Sequence, residues 1–243
     1  KDLKIENLVI FNGRFASSKA IESGISKHNQ KTKLFYYERS HNLYRYTLKP
    51  YKVHDRKKII NEINKHWIYC NEQNEASKIA ETYFKIKISG RGFDWFPFSK
   101  GIQENEDDLI AVKLKNFKNE GKNKIISYFS SSEDEFESLG DIWSDKRFNL
   151  KQEQIIEELS RISVKKNIKL IIRLHPNLNN ASIESKMQWN NILSRLPKNN
   201  ILIIKQNSKI SSYKVINYSD IVIVFGSTVG VEALYLKKPV ILT

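Results

Sequence analysis

Three short segments carry the residues best suited to chemistry. Ser219-Asp220 leads into Ile221-Val222-Ile223-Val224-Phe225, a largely β-branched apolar run that reads as a buried strand, and Gly226-Ser227-Thr228 then opens a helix. Free backbone N–H groups and the positive end of the helix dipole at such a junction favour an anion. Glycine lets a ligand approach the backbone closely, and the two hydroxyls can bind a phosphate or simply cap the helix. Upstream, Lys169 to Leu174 reads as a second apolar strand, which carries Arg173 and runs into His175-Pro176. Two parallel strands ending in this way would deliver cationic and N–H donors to one crevice, and the expected ligand is a phosphate-bearing molecule such as a sugar nucleotide. Glu232, one turn inside the helix, is placed either to accept from a ribose or to serve only as a dipole-favoured acid. A histidine after a strand is commonly structural, yet at a strand end His175 can donate to a phosphate oxygen. Alternation keeps Arg173 and His175 off the face of Leu174, from where both can still flank the crevice.

The third segment is Ser130-Ser131-Ser132-Glu133-Asp134-Glu135. Ser132 and Glu135 have the spacing of a capping box, which alone accounts for a helix start. Consecutive acids at the mouth of a sheet also suit glycosyl transfer, as nucleophile, base or stabiliser of a cationic sugar. Asp134 is the first candidate, with Glu135 as alternate. Near the start of the chain, Phe11-Asn12-Gly13-Arg14-Phe15 again joins a strand to a helix, and Tyr37-Glu38-Arg39 ends the next strand. Asn12 and Arg14 are candidates for an acceptor or phosphate site and Glu38 for a further catalytic carboxylate. A structural Arg14–Glu38 salt bridge is the competing account.

The elements that must position these residues alternate between strand and helix. Strands are expected at Asn7–Phe11 and Lys33–Tyr37, and helices at Ser17–Lys27, Arg56–Tyr69 and Glu72–Lys85. A stretch rich in charge, Asn and Gly follows from Gly90, with one helix around Asp107–Phe117, and the domain boundary is placed near residue 105. Beyond it, strands are expected at Lys124–Phe129, Lys169–Leu174, Ile201–Lys205, Ile221–Phe225 and Pro239–Leu242. Ile155, Leu159 and Ile162 mark the apolar face of one intervening helix, and Ile183, Met187 and Leu193 lie on another. The fold class is α/β: residues 1–105 form an N-terminal acceptor-side domain, and residues 106–243 a doubly wound parallel sheet with right-handed crossovers.

The 243 residues, 40% of them hydrophobic, suffice for two small α/β domains. Met187 is the only methionine and Thr243 lies on a strand with no helix after it, so the chain reads as a fragment of a longer protein. A net charge of +14 suits nucleic acid, anionic lipid or phosphorylated substrates. The lysines are spread along the chain rather than interleaved with aromatics in one stripe, which argues against nucleic acid. No apolar run approaches the ~18 residues needed to span a bilayer, and no signal-peptide pattern stands at the start. The single cysteine, Cys70, excludes an internal disulfide and a cysteine-based zinc cluster and suits a reducing compartment. A cytoplasmic protein is expected, at most touching the inner face of an anionic membrane.

The block Ser227-Thr228-Val229-Gly230-Val231-Glu232-Ala233, closing on Lys238-Pro239-Val240-Ile241, is similar to the nucleotide-binding half of GT-B glycosyltransferases. With His175-Pro176 and the acidic Ser-rich segment, it most resembles bacterial capsule and lipopolysaccharide transferases that use CMP-activated acidic sugars, including Kdo transferases and some sialyltransferases. The resemblance implies two Rossmann-like domains facing a cleft. It also implies that His175, Ser227 and Thr228 bind CMP, with Pro176 and Gly226 beside them in the donor site, and that Asp134 or Glu135 supplies an active-site carboxylate. The donor would be a nucleotide sugar and the acceptor a glycan or glycolipid, with neither a metal nor a separate cofactor. A polyol-phosphate transferase using a CDP-alcohol and a non-catalytic sugar-nucleotide-binding module are the alternatives. Lys237 stands where such transferases often have the glycine that ends the helix, and a left-handed non-glycine residue there costs on the order of 1 kcal/mol.

Overall fold

The computed structural model describes residues 5–28, 31–39, 45–70, 72–90, 108–119, 123–131 and 151–243. In chain order the elements are β1 (Asn7–Phe11), α1 (Ala16–His28), β2 (Lys33–Arg39), β3 (Tyr46–Lys49), α2 (Arg56–Ile68), α3 (Gln73–Ser89) and α4 (Asp108–Asn119). They continue with β4 (Ile125–Phe129), α5 (Gln152–Lys166), β5 (Lys169–Arg173), α6 (Ile183–Ser194), β6 (Ile201–Ile204), α7 (Ser212–Tyr218), β7 (Ile221–Val224), α8 (Val229–Tyr235) and β8 (Val240–Leu242). Among the described residues the chain divides into two compact units between Ser77 and Lys78. This division runs through α3, whereas a boundary at 105 would leave the whole helix in the first unit. The second half of α3 packs on α8, with Phe84 stacked on Tyr235 at 4.4 Å between ring centroids.

In the second unit five parallel strands lie in the order β6-β5-β4-β7-β8. Apolar side chains on alternate positions point to opposite faces, and both faces are covered. Phe129, Ile171, Val222 and Val224 meet Leu114 of α4, Ile216 of α7 and Ala233 of α8. Tyr128, Leu170, Ile172 and Ile223 meet Ile155 and Ile156 of α5 and Ile192 of α6. This is the doubly wound parallel sheet that the alternation of strand and helix implied. On α6 the core-facing residues are Trp189, Ile192 and Leu193, at i, i+3 and i+4, while Ile183 and Met187 are exposed. At the amino-terminal edge of the sheet the Asp220 carboxylate accepts the Ile125 N–H at 2.9 Å, which ties the start of β7 to that of β4.

The first unit holds a three-stranded sheet in which β1 and β2 are parallel and β3 is antiparallel to β2. β3 was not expected from the sequence. Its four residues are too short for a period to emerge, and only pairing with Tyr36 to Arg39 defines it. Ile10 and Tyr36 are buried, and a buried Lys52 pairs with Glu22 of α1 at 2.8 Å. The Tyr36 hydroxyl donates to the same carboxylate at 3.0 Å. Burial, then the Glu22 hydrogen bond, raises the Tyr36 phenol well above its ordinary pKa.

Candidate functional site

In the five-stranded sheet the strand order reverses between β4 and β7, because the chain runs outward from β4 through β5 to β6 and then returns to β7 on the other side. Ligands of open parallel sheets bind outside the carboxyl ends of the strands at such a reversal. The ends are level: the Phe225 N–H reaches the Phe129 carbonyl, the Ser130 N–H reaches that of Arg173, and the Leu174 N–H that of Ile204. Gly226-Ser227-Thr228, Ser130-Ser131 and His175 therefore emerge from three neighbouring strands on one edge.

Ser130 and His175 are joined directly, the Ser130 hydroxyl accepting the His175 backbone N–H at 2.9 Å. His175 is half-buried and caps the single turn Pro176–Asn179, its Nδ1 accepting the Asn177 N–H at 3.2 Å. In a neutral imidazole this acceptor role places the proton on Nε2, which is then the donor of the ring. Pro176 fixes the first position of that turn and holds the ring at the strand end. Gln152, at the first position of α5, was not singled out in the sequence. It is fully buried: its Oε1 accepts the Ser131 N–H at 2.8 Å and the Tyr128 hydroxyl at 3.2 Å, and its Nε2 donates to the Ser131 carbonyl at 3.1 Å. Both backbone groups of Ser131 are thereby held. A lone glutamine at a helix start carries no sequence signal for such a role.

Gly226 adopts φ +58°, a conformation glycine takes without penalty. The Ser227 hydroxyl accepts the Val229 N–H at 3.3 Å, so it serves as a local cap, whereas exposed Thr228 makes no capping bond. Gly230 lets α8 lie close against the sheet, since a Cβ there would stand 3.0 Å from a Val224 methyl. The C-terminus of α8 closes with Lys237 at φ +59°, the Lys237 N–H on the Leu234 carbonyl and the Lys238 N–H on that of Ala233. This is the left-handed helix end anticipated at Lys237, formed without the glycine.

Two other candidates have their charged ends engaged behind this edge. Arg173 donates from Nη1 to the Lys205 carbonyl and from Nη2 to that of Ser208 at 3.1 Å, so it braces the loop after β6 instead of reaching outward. Burial lowers its pKa to about 10, and it stays charged at neutral pH. Glu232 is buried and bound to Lys87 of α3 at 2.5 Å. Burial, followed by the neighbouring Glu232 carboxylate, pushes the Tyr213 phenol far above its ordinary value. Lys87 lies outside every motif, and its partner is far away in sequence, so no local pattern points to it.

At the end of β1, Asn12 and Gly13 both have positive φ, 61° and 80°. A Cβ on Gly13 would stand 2.7 Å from the Tyr36 ring, so glycine is required there by space as well as by conformation. The Asn12 amide donates to Glu38 Oε2, and Glu38 Oε1 accepts the Arg39 N–H at 2.9 Å. Asn12 is 2% exposed and its Oδ1 has no hydrogen-bond partner. Arg14 is half-buried, with its guanidinium 5.4 Å from the Phe15 ring centroid. The structure thus brings Asn12 to Glu38. Asp134 and Glu135 lie outside the described residues. Among the described residues, no three His, Cys, Asp or Glu side chains are grouped to hold a metal, and no helix is long and apolar enough to cross a membrane.

No family model matches the chain, and no curated protein matches it. Among solved structures, the β-Kdo 2,7 transferase of Thermosulfurimonas dismutans KpsC is 15% identical, with a TM-score of 0.46 over 98% of this chain and 64% of that one. The β-Kdo 2,4 transferase of the same KpsC is 11% identical, with a TM-score of 0.45 over 96% of this chain and 67% of that one. The wall teichoic acid polymerase TagF is 17% identical, with a TM-score of 0.29 over 62% of this chain and 35% of that one. The chain thus spans less than two thirds of the length of the first of these proteins.

Proposed function

We propose that this chain is part of a GT-B type glycosyltransferase of bacterial surface polysaccharide assembly, with a CMP-linked acidic sugar such as Kdo as donor and a glycan or glycolipid as acceptor. The observation that carries this reading is the convergence of Gly226-Ser227-Thr228, Ser130-Ser131 and His175 at the strand-order reversal. The single phosphate of the CMP-sugar accepts hydrogen bonds from the backbone N–H groups after Gly226, the Thr228 hydroxyl and the His175 Nε2–H. Those donors stabilise the departing nucleotide without a metal. Arg173 and Glu232 act from behind, by holding the loop after β6 and α8. The sugar-side carboxylate is assigned to Asp134 or Glu135. In the first unit the unpartnered Asn12 Oδ1 and the Glu38 carboxylate are both acceptors. They suit acceptor hydroxyls and disfavour a phosphate. The protein would act in the cytoplasm, in contact with the inner face of an anionic membrane.

Calorimetry with CMP, UDP and GDP tests the donor site. CMP should bind most tightly, and His175→Ala and Thr228→Ala should each weaken it by about 1–3 kcal/mol. Preference for UDP or GDP would sink the cytidine assignment. Asp134→Asn should keep CMP binding and lower turnover by roughly two or more orders of magnitude, and a fully active variant would move the role to Glu135 or Glu38.

A further inference from the structure

Helix α2 carries apolar side chains that no described residue of its own unit covers. None of its residues is buried. Arg56, Ile59 and Glu62 are its less exposed residues, and Glu62 is tied to Lys49 of β3 at 2.5 Å. Beside that seam Ile60, Ile63 and Trp67 recur at i, i+3 and i+7 on one face, and each is more than half exposed. Ile68, the last residue of α2, and Tyr69 just after it are also about three-quarters exposed. An exposed apolar stripe of this length signals an interaction surface.

The remaining surface of the helix names the partner. Lys57, Lys58 and Lys65 are all exposed, and the single acid of α2, Glu62, is already neutralised by Lys49. An apolar stripe ending in tryptophan, next to a lysine-rich polar face, is the composition of a helix lying in the plane of an anionic bilayer surface. A second protein would have to bring acidic groups as well as an apolar groove to the same helix, whereas an anionic lipid surface supplies both.

We infer that α2 is a membrane-interface helix, with Ile60, Ile63 and Trp67 entering the headgroup boundary of an anionic bilayer and Lys57, Lys58 and Lys65 attracted by its surface potential. This names the surface behind the membrane contact proposed above. It does not depend on which nucleotide the strand-end site takes, so vesicle binding and CMP binding stand or fall separately.

Co-sedimentation with vesicles of phosphatidylcholine, with and without phosphatidylglycerol, tests it. The protein should partition onto the phosphatidylglycerol vesicles at low salt, with a blue shift of the tryptophan fluorescence that Trp67→Phe removes. Ile63→Ser combined with Trp67→Ser should lower the partition coefficient about tenfold or more without lowering the melting temperature. Lys57→Glu, Lys58→Glu and Lys65→Glu together should abolish the preference for phosphatidylglycerol and leave CMP binding unchanged. Absence of wild-type binding to these vesicles, or equal binding by the variants, would overturn the inference. So would a concentration-dependent dimer that the Ile63→Ser, Trp67→Ser variant converts to monomer, since the stripe would then belong to a second copy.

Discussion

β5 is buried at all five positions and β4 at four of five, whereas β3 is exposed at three of its four positions and β1 shows one buried residue in five. The contrast follows from connectivity. Parallel strands need crossover helices, which cover both faces, so β4 and β5 read as continuous apolar runs. In the first unit the antiparallel β3 follows β2 without a crossover helix, and Val9, Phe11, Tyr46 and Leu48 remain exposed. Yet among the described residues each unit contains one nearly dry ion pair, Lys87–Glu232 in the second and Lys52–Glu22 in the first. Where apolar burial is extensive the pair is one anchor among many, and where it is sparse the pair carries a larger share of the local order.

The largest test of this contrast removes one partner of each pair. Lys87→Met and Lys52→Met should each destabilise by about 3–5 kcal/mol, since each leaves a carboxylate buried without its counter-charge. Hydrogen exchange separates them: Lys52→Met should raise exchange through β1, β2 and α1 while leaving β4 and β5 protected, and Lys87→Met should loosen α8 and β7. Uniform loosening by both variants would show that the two units unfold as one.

A smaller effect belongs to the amino-terminal edge of the second sheet. Burial opposes the charge on Asp220, but the Ile125 N–H and Lys124 outweigh it and hold the carboxyl below its ordinary value. A carboxylate favoured in the folded state contributes fully above its unfolded pKa, near 4, and loses that contribution as pH falls through the lower folded value. Asp220→Asn should therefore cost about 1 kcal/mol at neutral pH, a figure kept low because the side chain is 40% exposed. Urea titrations should show the gap closing on acidification. CMP affinity should not change, because Asp220 lies at the edge opposite to the strand ends. The smallest effect is a gain: Lys237→Gly should relieve the left-handed strain at φ +59° and stabilise by roughly 0.5–1 kcal/mol, read as a higher melting temperature.

The strands of the second sheet were legible because their signals are local. Five short apolar runs, each bounded by polar or turn residues, place β4, β5, β6, β7 and β8 to within a residue or two. The left-handed cap at Lys237 was anticipated on other grounds, from the family resemblance that puts a glycine at that position. Legibility fails for Arg173 and Glu232. Their residue types and positions suit a ligand, but the partners that take up their charges, the Lys205 and Ser208 carbonyls and Lys87, come from segments that no period connects to them.

Local periodicity and turn chemistry thus determined the α/β class, the parallel character of the second sheet and the segments that stand at the carboxyl ends of its strands. Tertiary structure alone decided that β4 lies between β5 and β7, and hence that Ser130 bridges to His175 and that the order reverses beside Gly226. It alone paired Asn12 with Glu38, set Gln152 against Ser131 and placed β3 on the edge of β2. The reason is physical. A strand or a cap is specified by neighbours a few residues away, whereas pairing order and buried polar partners are selected by the packing of the whole chain, in which each buried donor or charge must find its complement wherever the fold brings one.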